Sequence, residues 1–283
     1  VNYLERFKVQ PGSRVKLKDI DASYKDRHEN HEDAIAEIEK YRKRLRDLQD
    51  MFYADGRRAL LICLQAVDTG GKDGTITHFL SAMSPQGCRV VPFRQPSVEE
   101  ASHDFLWRIH RATPGRGQVV IFNRSHYEDV LVARVHSLVP KHVWFGRYDR
   151  INAFELGLVD AGTEILKFYL HISSEEQLSR FKERLDDPTK HWKISEADYK
   201  ERRYWDDYMA AYEEALSRCS TKPAPWFIIP ANHKWFRNLA VARIVVEHLE
   251  GLDLRYPKPS VDLARIRREY HEARKHARRR RKS

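Results

Sequence analysis

Apolar and polar positions divide the chain into runs of two alternating periods. Leu60 to Gln65, Arg89 to Phe93, Gln118 to Phe122, Glu164 to Ile172 and Trp226 to Ile229 are short, nearly continuous apolar runs, the pattern of buried strands. Between them apolar residues recur at intervals of three and four. Ala34, Ile38, Tyr41, Leu45, Leu48 and Phe52 predict an amphipathic helix over 32–52, packed on the core or against a second subunit. The same spacing predicts helices over about 73–83, 142–160 and 234–249, one from Ser125 through Val135, and one from Ser173 that ends before Pro188. Ser97 with Glu100, and Ser195 with Asp198, are capping patterns that open helices over 97–110 and 195–219. Five strands alternating with helices imply an α/β fold with a five-stranded parallel sheet flanked by helices, whose ligands bind beyond the strand C-terminal ends. Residues 1–30 are polar, contain Pro11-Gly12 and read as an irregular arm before a single domain over 31–256.

The first strand empties into Ala66-Val67-Asp68-Thr69-Gly70-Gly71-Lys72-Asp73-Gly74-Thr75. Gly70 and Gly71 let backbone amides crowd a phosphate, Lys72 adds a mobile charge, and the following helix adds its dipole. This Walker A-like turn departs from the common phosphate-loop pattern in two ways: Ala66 stands where its first Gly belongs, and Asp73 replaces the hydroxyl residue after the lysine. Asp68 and Asp73 would repel a bound phosphate unless a metal or several cations stand between them.

Charge changes the picture at one end. The formal net charge is +10, and residues 264–283 hold ten Lys or Arg against Glu269 and Glu272, so the body before them is nearly balanced. The tail over 257–283 is a separate polycation, expected to be partly disordered, that attracts polyanions, nucleic acid included. No apolar run reaches the ~20 residues of a membrane span, and the N-terminus resembles no signal peptide. Cys63, Cys88 and Cys219 show no metal spacing, so the expectation is a cytoplasmic protein with reduced thiols.

A second constellation follows the third strand: Asn123-Arg124-Ser125-His126-Tyr127-Glu128-Asp129. Asn123 offers an amide oxygen beside the phosphate loop, Arg124 a planar fork for phosphate, and Asp129, one helical turn after Ser125, points back at the same crevice. Oxygen ligands this few, shared with substrate phosphates, suit magnesium. Ser125 and Glu128 read as an N-terminal capping box. His103, His110 and His126 have no metal-ligand spacing, and Phe105, Trp107 and Trp192 either stack on a base or pack in the core.

The phosphate loop, Phe93-Arg94-Gln95-Pro96-Ser97, His103 to Arg108, the Asn123 to Asp129 motif and Lys190-His191-Trp192-Lys193 together resemble the polyphosphate kinase 2 family over about 14–256, with Phe122 to Tyr127 closer to its class III. The resemblance implies a P-loop kinase-like fold with a helical lid over about 178–208. It also implies magnesium-dependent, reversible phosphoryl transfer between inorganic polyphosphate and adenine nucleotides, AMP to ADP and ADP to ATP, with manganese as the alternative ion. Asp68, Lys72, Arg124 and Asp129 are the expected catalytic residues, and Asp68, Asn123 and Asp129 the expected metal ligands. Phosphate and polyphosphate are expected on Gly70, Gly71, Lys72, Asp73, Gly74 and Arg124, with Arg134, Arg184, Lys190 and Lys193 along the path. A homodimer or homotetramer is expected. The alternatives are an ADP-only enzyme of the same family, an ATP-dependent nucleoside monophosphate kinase, and a non-catalytic polyanion binder. Asp73, Asp68 and the basic lid count against the ATP-dependent kinase.

Overall fold

The computed structural model describes residues 2–280. Five strands, β1 (Ala59–Gln65), β2 (Cys88–Pro92), β3 (Val119–Asn123), β4 (Thr163–His171) and β5 (Trp226–Pro230), form one parallel sheet in the order β2-β3-β1-β4-β5. The seven residues of β1 are all buried, and eight of the nine in β4, because helices cover both faces. Those helices are α1 (His31–Asp55), α2 (Lys72–Leu80), α3 (Lys141–Asp160), α4 (Ser174–Asp186), α5 (Trp205–Cys219) and α6 (Lys234–Glu250). This is a P-loop kinase-like α/β fold. Its chain passes from β1 to the edge strand β2 and back to β3, then crosses to β4 and β5, so the loops after β1 and β3 lie side by side at the reversal. Leu64 pairs with Asn123 there, which sets the phosphate loop against the second motif.

Several stretches differ from the sequence expectation, among them the helix expected over 195–219, which is Glu196–Glu201, a 3-10 turn Arg202–Tyr204 and then α5. The N-terminal arm is largely irregular but belongs to the core: Tyr3, Phe7, Val9, Val15 and Leu17 are buried in it. Val9 donates to the Trp226 carbonyl and Ile228 to the Phe7 carbonyl, an antiparallel bridge that covers the otherwise open edge of β5. The helix expected over 97–110 is two short turns, Val98–Ser102 and Trp107–His110, since Asp104 caps Leu106 and restarts the chain. The basic tail is a helix, α7 (Leu263–Arg280), and its last residues, 281–283, lie outside the described residues. Among the described residues no helix is long and apolar enough to cross a membrane.

Candidate active site

The phosphate loop is built on two glycines that admit nothing larger. A Cβ on Gly70 would lie 2.5 Å from that of Ala66, and one on Gly71, where φ is +101°, would lie 1.9 Å from an Arg237 nitrogen. Thr69 also takes the left-handed conformation, and Gly71 caps α2, so the loop presents amides at the helix N-terminus. The Lys72 amine folds back on the Ala66 carbonyl at 2.8 Å. Burial, with Arg124 nearby, pushes its pKa below the usual lysine range, against the pull of Asp68, Glu128 and Asp73.

At the end of β3, Arg124 adopts φ +63°, an uncommon conformation for a side chain of its size, held by its amide bonding the Leu64 carbonyl. Its guanidinium lies 3.2 Å from Asp68 and 3.7 Å from Glu128. Burial works against that charge, and Glu128 and Asp68 outweigh it, so its pKa rises. Asn123 donates to Asp73 at 3.0 Å, tying the two motifs together.

The turn after Ser125 corrects one expectation. It is a 3-10 turn, His126–Asp129, not an α-helix, and its pitch of three residues puts Glu128, rather than Asp129, above Ser125. Glu128 therefore faces Arg124, and burial raises its pKa while Arg124 and Lys72 oppose. Asp129 turns the other way, to Arg147 at 3.2 Å, and lines neither cavity described below. Beneath the turn lies a fully buried ion pair. Lys167 on β4 bonds Glu155 and the Tyr127 hydroxyl, and Glu155 also accepts from His126 and Tyr127. Four polar side chains bonded to one another in the core fix the turn that carries Asn123, Arg124 and Glu128.

Two cavities open onto this centre. The larger, about 710 Å³, runs from the phosphate loop along α4 and the Pro188–Lys193 turn. Lys72, Arg94, Arg124, Arg180, Arg184, Lys190, Lys193, Lys234 and Arg237 line it, against Asp68, Asp73 and Glu183. The smaller, about 230 Å³, lies on the other side of Asp68 and Arg124, between Glu128, Leu131, Val132 and His136 and the α5 side chains Trp205, Tyr208 and Tyr212.

Of the expected site residues, Asp68, Gly70, Gly71, Lys72, Asp73, Gly74, Asn123, Arg124, Arg184, Lys190 and Lys193 all line the larger cavity. Arg134 does not: it pairs with Glu214 at 2.7 Å and rests on Trp144. Trp192 lines the larger cavity, 79% exposed, whereas Trp107 stacks on His103 and Phe105 lies under Arg147. Two residues absent from the sequence expectation stand at the cavity floor. Arg180, 4% exposed, braces the Thr69 carbonyl at 2.9 Å and also bonds Glu176 and the Asn232 carbonyl. Arg237, 3% exposed, is bonded by Asn238 and has no carboxylate partner among the described residues. Burial and the nearby Arg180 charge push its pKa below the arginine range. No local pattern marks either one; each becomes part of the site through the packing of α4 and α6 onto the loop.

Among the described residues no three His, Cys, Asp or Glu side chains could hold a metal ion by themselves. One or two carboxylates beside a phosphate cradle fit a small cation that takes its remaining oxygens from substrate and water. The family model described as Polyphosphate kinase 2 (PPK2) matches residues 28–257. An AMP/ADP-polyphosphate phosphotransferase of Meiothermus ruber is 47% identical over 264 residues, covering 93% of this chain and 99% of that protein. An ADP-polyphosphate phosphotransferase of Rhodopseudomonas palustris is 43% identical, covering 90% and 92%. A crystal structure of polyphosphate kinase 2 from Arthrobacter aurescens TC1 superposes with a TM-score of 0.92 at 42% identity, over 96% of this chain and 97% of that one. The chain belongs to the polyphosphate kinase 2 family.

Proposed function

We propose that this polyphosphate kinase moves the terminal phosphoryl group of inorganic polyphosphate, held in the larger cavity, onto AMP or ADP entering from the smaller one. One observation carries the reading. Asp68 and Arg124 line both cavities, so a donor chain on one side and an acceptor phosphate on the other meet between them. The larger cavity has the charge for a polyanion, and the smaller has aromatic walls for a nucleoside.

In this mechanism the Gly70, Gly71 and Lys72 loop holds the transferring phosphoryl group, and Arg180 and Arg237 take the phosphates behind it. The acceptor phosphate oxygen attacks the terminal phosphorus, and the bond to the bridging oxygen breaks. That oxygen leaves as the new anionic end of a shorter chain. Arg124 spans both phosphates and neutralises charge on the equatorial oxygens, which is most of what such a transfer needs. Asp68 takes a proton from an acceptor that still carries one. Magnesium, with manganese as the alternative, would be held by Asp68 with Asn123 and Glu128, and supplies the remaining neutralisation of phosphate charge. The same steps in reverse lengthen polyphosphate at the expense of ATP.

The similarity to the Meiothermus ruber protein supports AMP as well as ADP as acceptor. The name of the Rhodopseudomonas palustris relative favours a second reading, with ADP alone. Nucleotide chromatography after incubation with magnesium, polyphosphate and either AMP or ADP decides. ADP followed by ATP in the AMP tube is the expected result. ATP from ADP alone would restrict the acceptor, and product only when ATP is the donor would overturn the reading.

A further inference from the structure

No described residue of the helix α7 lines either cavity. It lies beyond residue 257, where the family match ends, and its described side chains are all exposed. Its bonds are internal: Asp262 caps the amides of Ala264 and Arg265, Arg265 pairs with Glu269, and Tyr270 rests against His271. Among the described residues it makes no hydrogen bond or ion pair to the body. Most of the chain's net charge of +10 is nevertheless carried by this helix and the three residues after it.

Helical spacing arranges that charge. Arg267, Arg268, Arg274 and Lys275 fall on one broad side. The opposite stripe is narrow. Leu263, Ile266 and Tyr270, 52, 43 and 60% exposed, occupy its first two turns, and only Ala273 and Ala277 continue it. A helix that lies in a membrane needs a sustained apolar face, and this one fades after two turns. A reader of nucleic acid bases wants stacking rings, and Tyr270 is the single aromatic ring of the helix besides its histidines. What remains is a rod about 27 Å long, charged along most of its length.

The point where its chain leaves the body fits a long ligand. The chain leaves the body where Arg57 and Arg58, just before β1, bond the Asp253 and Leu252 carbonyls. That is the end of β1 opposite the phosphate loop, roughly 23 Å away for seven strand residues. A short polyphosphate held in the larger cavity does not extend to this end of the sheet, whereas a long one can run over the surface to where the segment leading to the helix departs.

We propose that α7 is an accessory anchor for long-chain polyphosphate, which holds the substrate polymer outside the catalytic cavity and raises its effective concentration there. The proposal rests on the polyphosphate reading of the larger cavity. The test is calorimetric binding of long-chain polyphosphate and of tripolyphosphate to the full chain and to a variant with Arg267→Gln, Arg268→Gln, Arg274→Gln and Lys275→Gln. Glutamine keeps the helix propensity and removes four charges. Long-chain binding should weaken on the order of tenfold, and the slope of its log affinity against log salt should fall by about 3, as for other polyanions that lose four cationic contacts. Tripolyphosphate binding should not change, which also shows that the variant is folded.

An equal loss for both lengths, or no loss for either, overturns the anchor. So does competition by single-stranded RNA that matches polyphosphate charge for charge, or sedimentation of the parent with phosphatidylserine vesicles that is lost in Leu263→Gln/Ile266→Gln. If tripolyphosphate itself fails to bind the parent, it is the reading of the larger cavity that fails, and long-chain binding still decides the helix.

Discussion

The two cavities that meet at Asp68 and Arg124 differ in almost everything else. The larger is walled by nine cations, and its deepest two, Arg180 and Arg237, are locked against backbone and loop. The smaller has carboxylates at Glu128 and Glu201, rings at Trp205, Tyr208 and Tyr212, and His136 bonded to Glu201 at 2.9 Å. A polymer of identical charged units is gripped by charge alone, whereas a nucleotide must be held by its base and sugar as well. The difference between the walls is what supports the proposed donor and acceptor sides.

The most severe way to break that division is to remove what both sides share. Asp68→Asn is expected to lose about 100-fold or more in kcat/KM with either AMP or ADP, the scale for an electrostatic or acid-base group. Near-normal turnover would remove Asp68 from the mechanism. Arg237→Met attacks the donor side alone. A buried charged hydrogen bond of ~1.5–3 kcal/mol predicts roughly a 10- to 100-fold rise in KM for polyphosphate. Thermal stability without substrate should hold or increase, because a buried charge without a carboxylate partner is removed.

Glu128→Gln sharpens the comparison through pH. Burial raises the pKa of this carboxyl above its ordinary 4.5 in the folded protein. Its contribution to stability is thus complete below 4.5 and is lost as pH rises through the raised value. The variant should melt higher than the parent at pH 7, at roughly 2–4 °C per kcal/mol, and the gap should close below pH 4.5 while activity falls. A variant that melts lower at pH 7 would mean the Arg124 pairing outweighs burial. The smallest effect belongs to the rim. Lys190 pairs with Asp187 and Lys193 lies over Trp192, both on the exposed Pro188–Lys193 turn, so the double alanine variant should raise KM for polyphosphate only a few-fold, less at high salt.

The sheet and the phosphate loop were legible because they are local. Strand ends agree within a residue or two, since an apolar run and its bounding glycines are read from neighbours alone. That Lys190 and Lys193 line the larger cavity follows from an equally local pattern, two lysines flanking His191-Trp192 just after Pro188 breaks the helix. Asp129 and Glu128 exchange places because a five-residue motif does not declare whether its turn has three or 3.6 residues. Arg180 and Arg237 were hidden for a different reason. Each sits in a helix of ordinary composition, and only the packing of α4 and α6 brings them to Gly71. The N-terminal arm is polar on average, yet its few apolar residues find the β5 edge through backbone bonds that composition does not announce.

The division between the cavities is tested most directly by measuring both Michaelis constants in two single variants, Arg237→Met and Trp205→Leu. The predicted result is a crossed pattern: Arg237→Met raises KM for polyphosphate and leaves that for AMP, and Trp205→Leu does the reverse. Parallel rises in both constants for either variant, or the opposite crossing, would contradict the assignment of donor and acceptor to the two sides of Asp68 and Arg124.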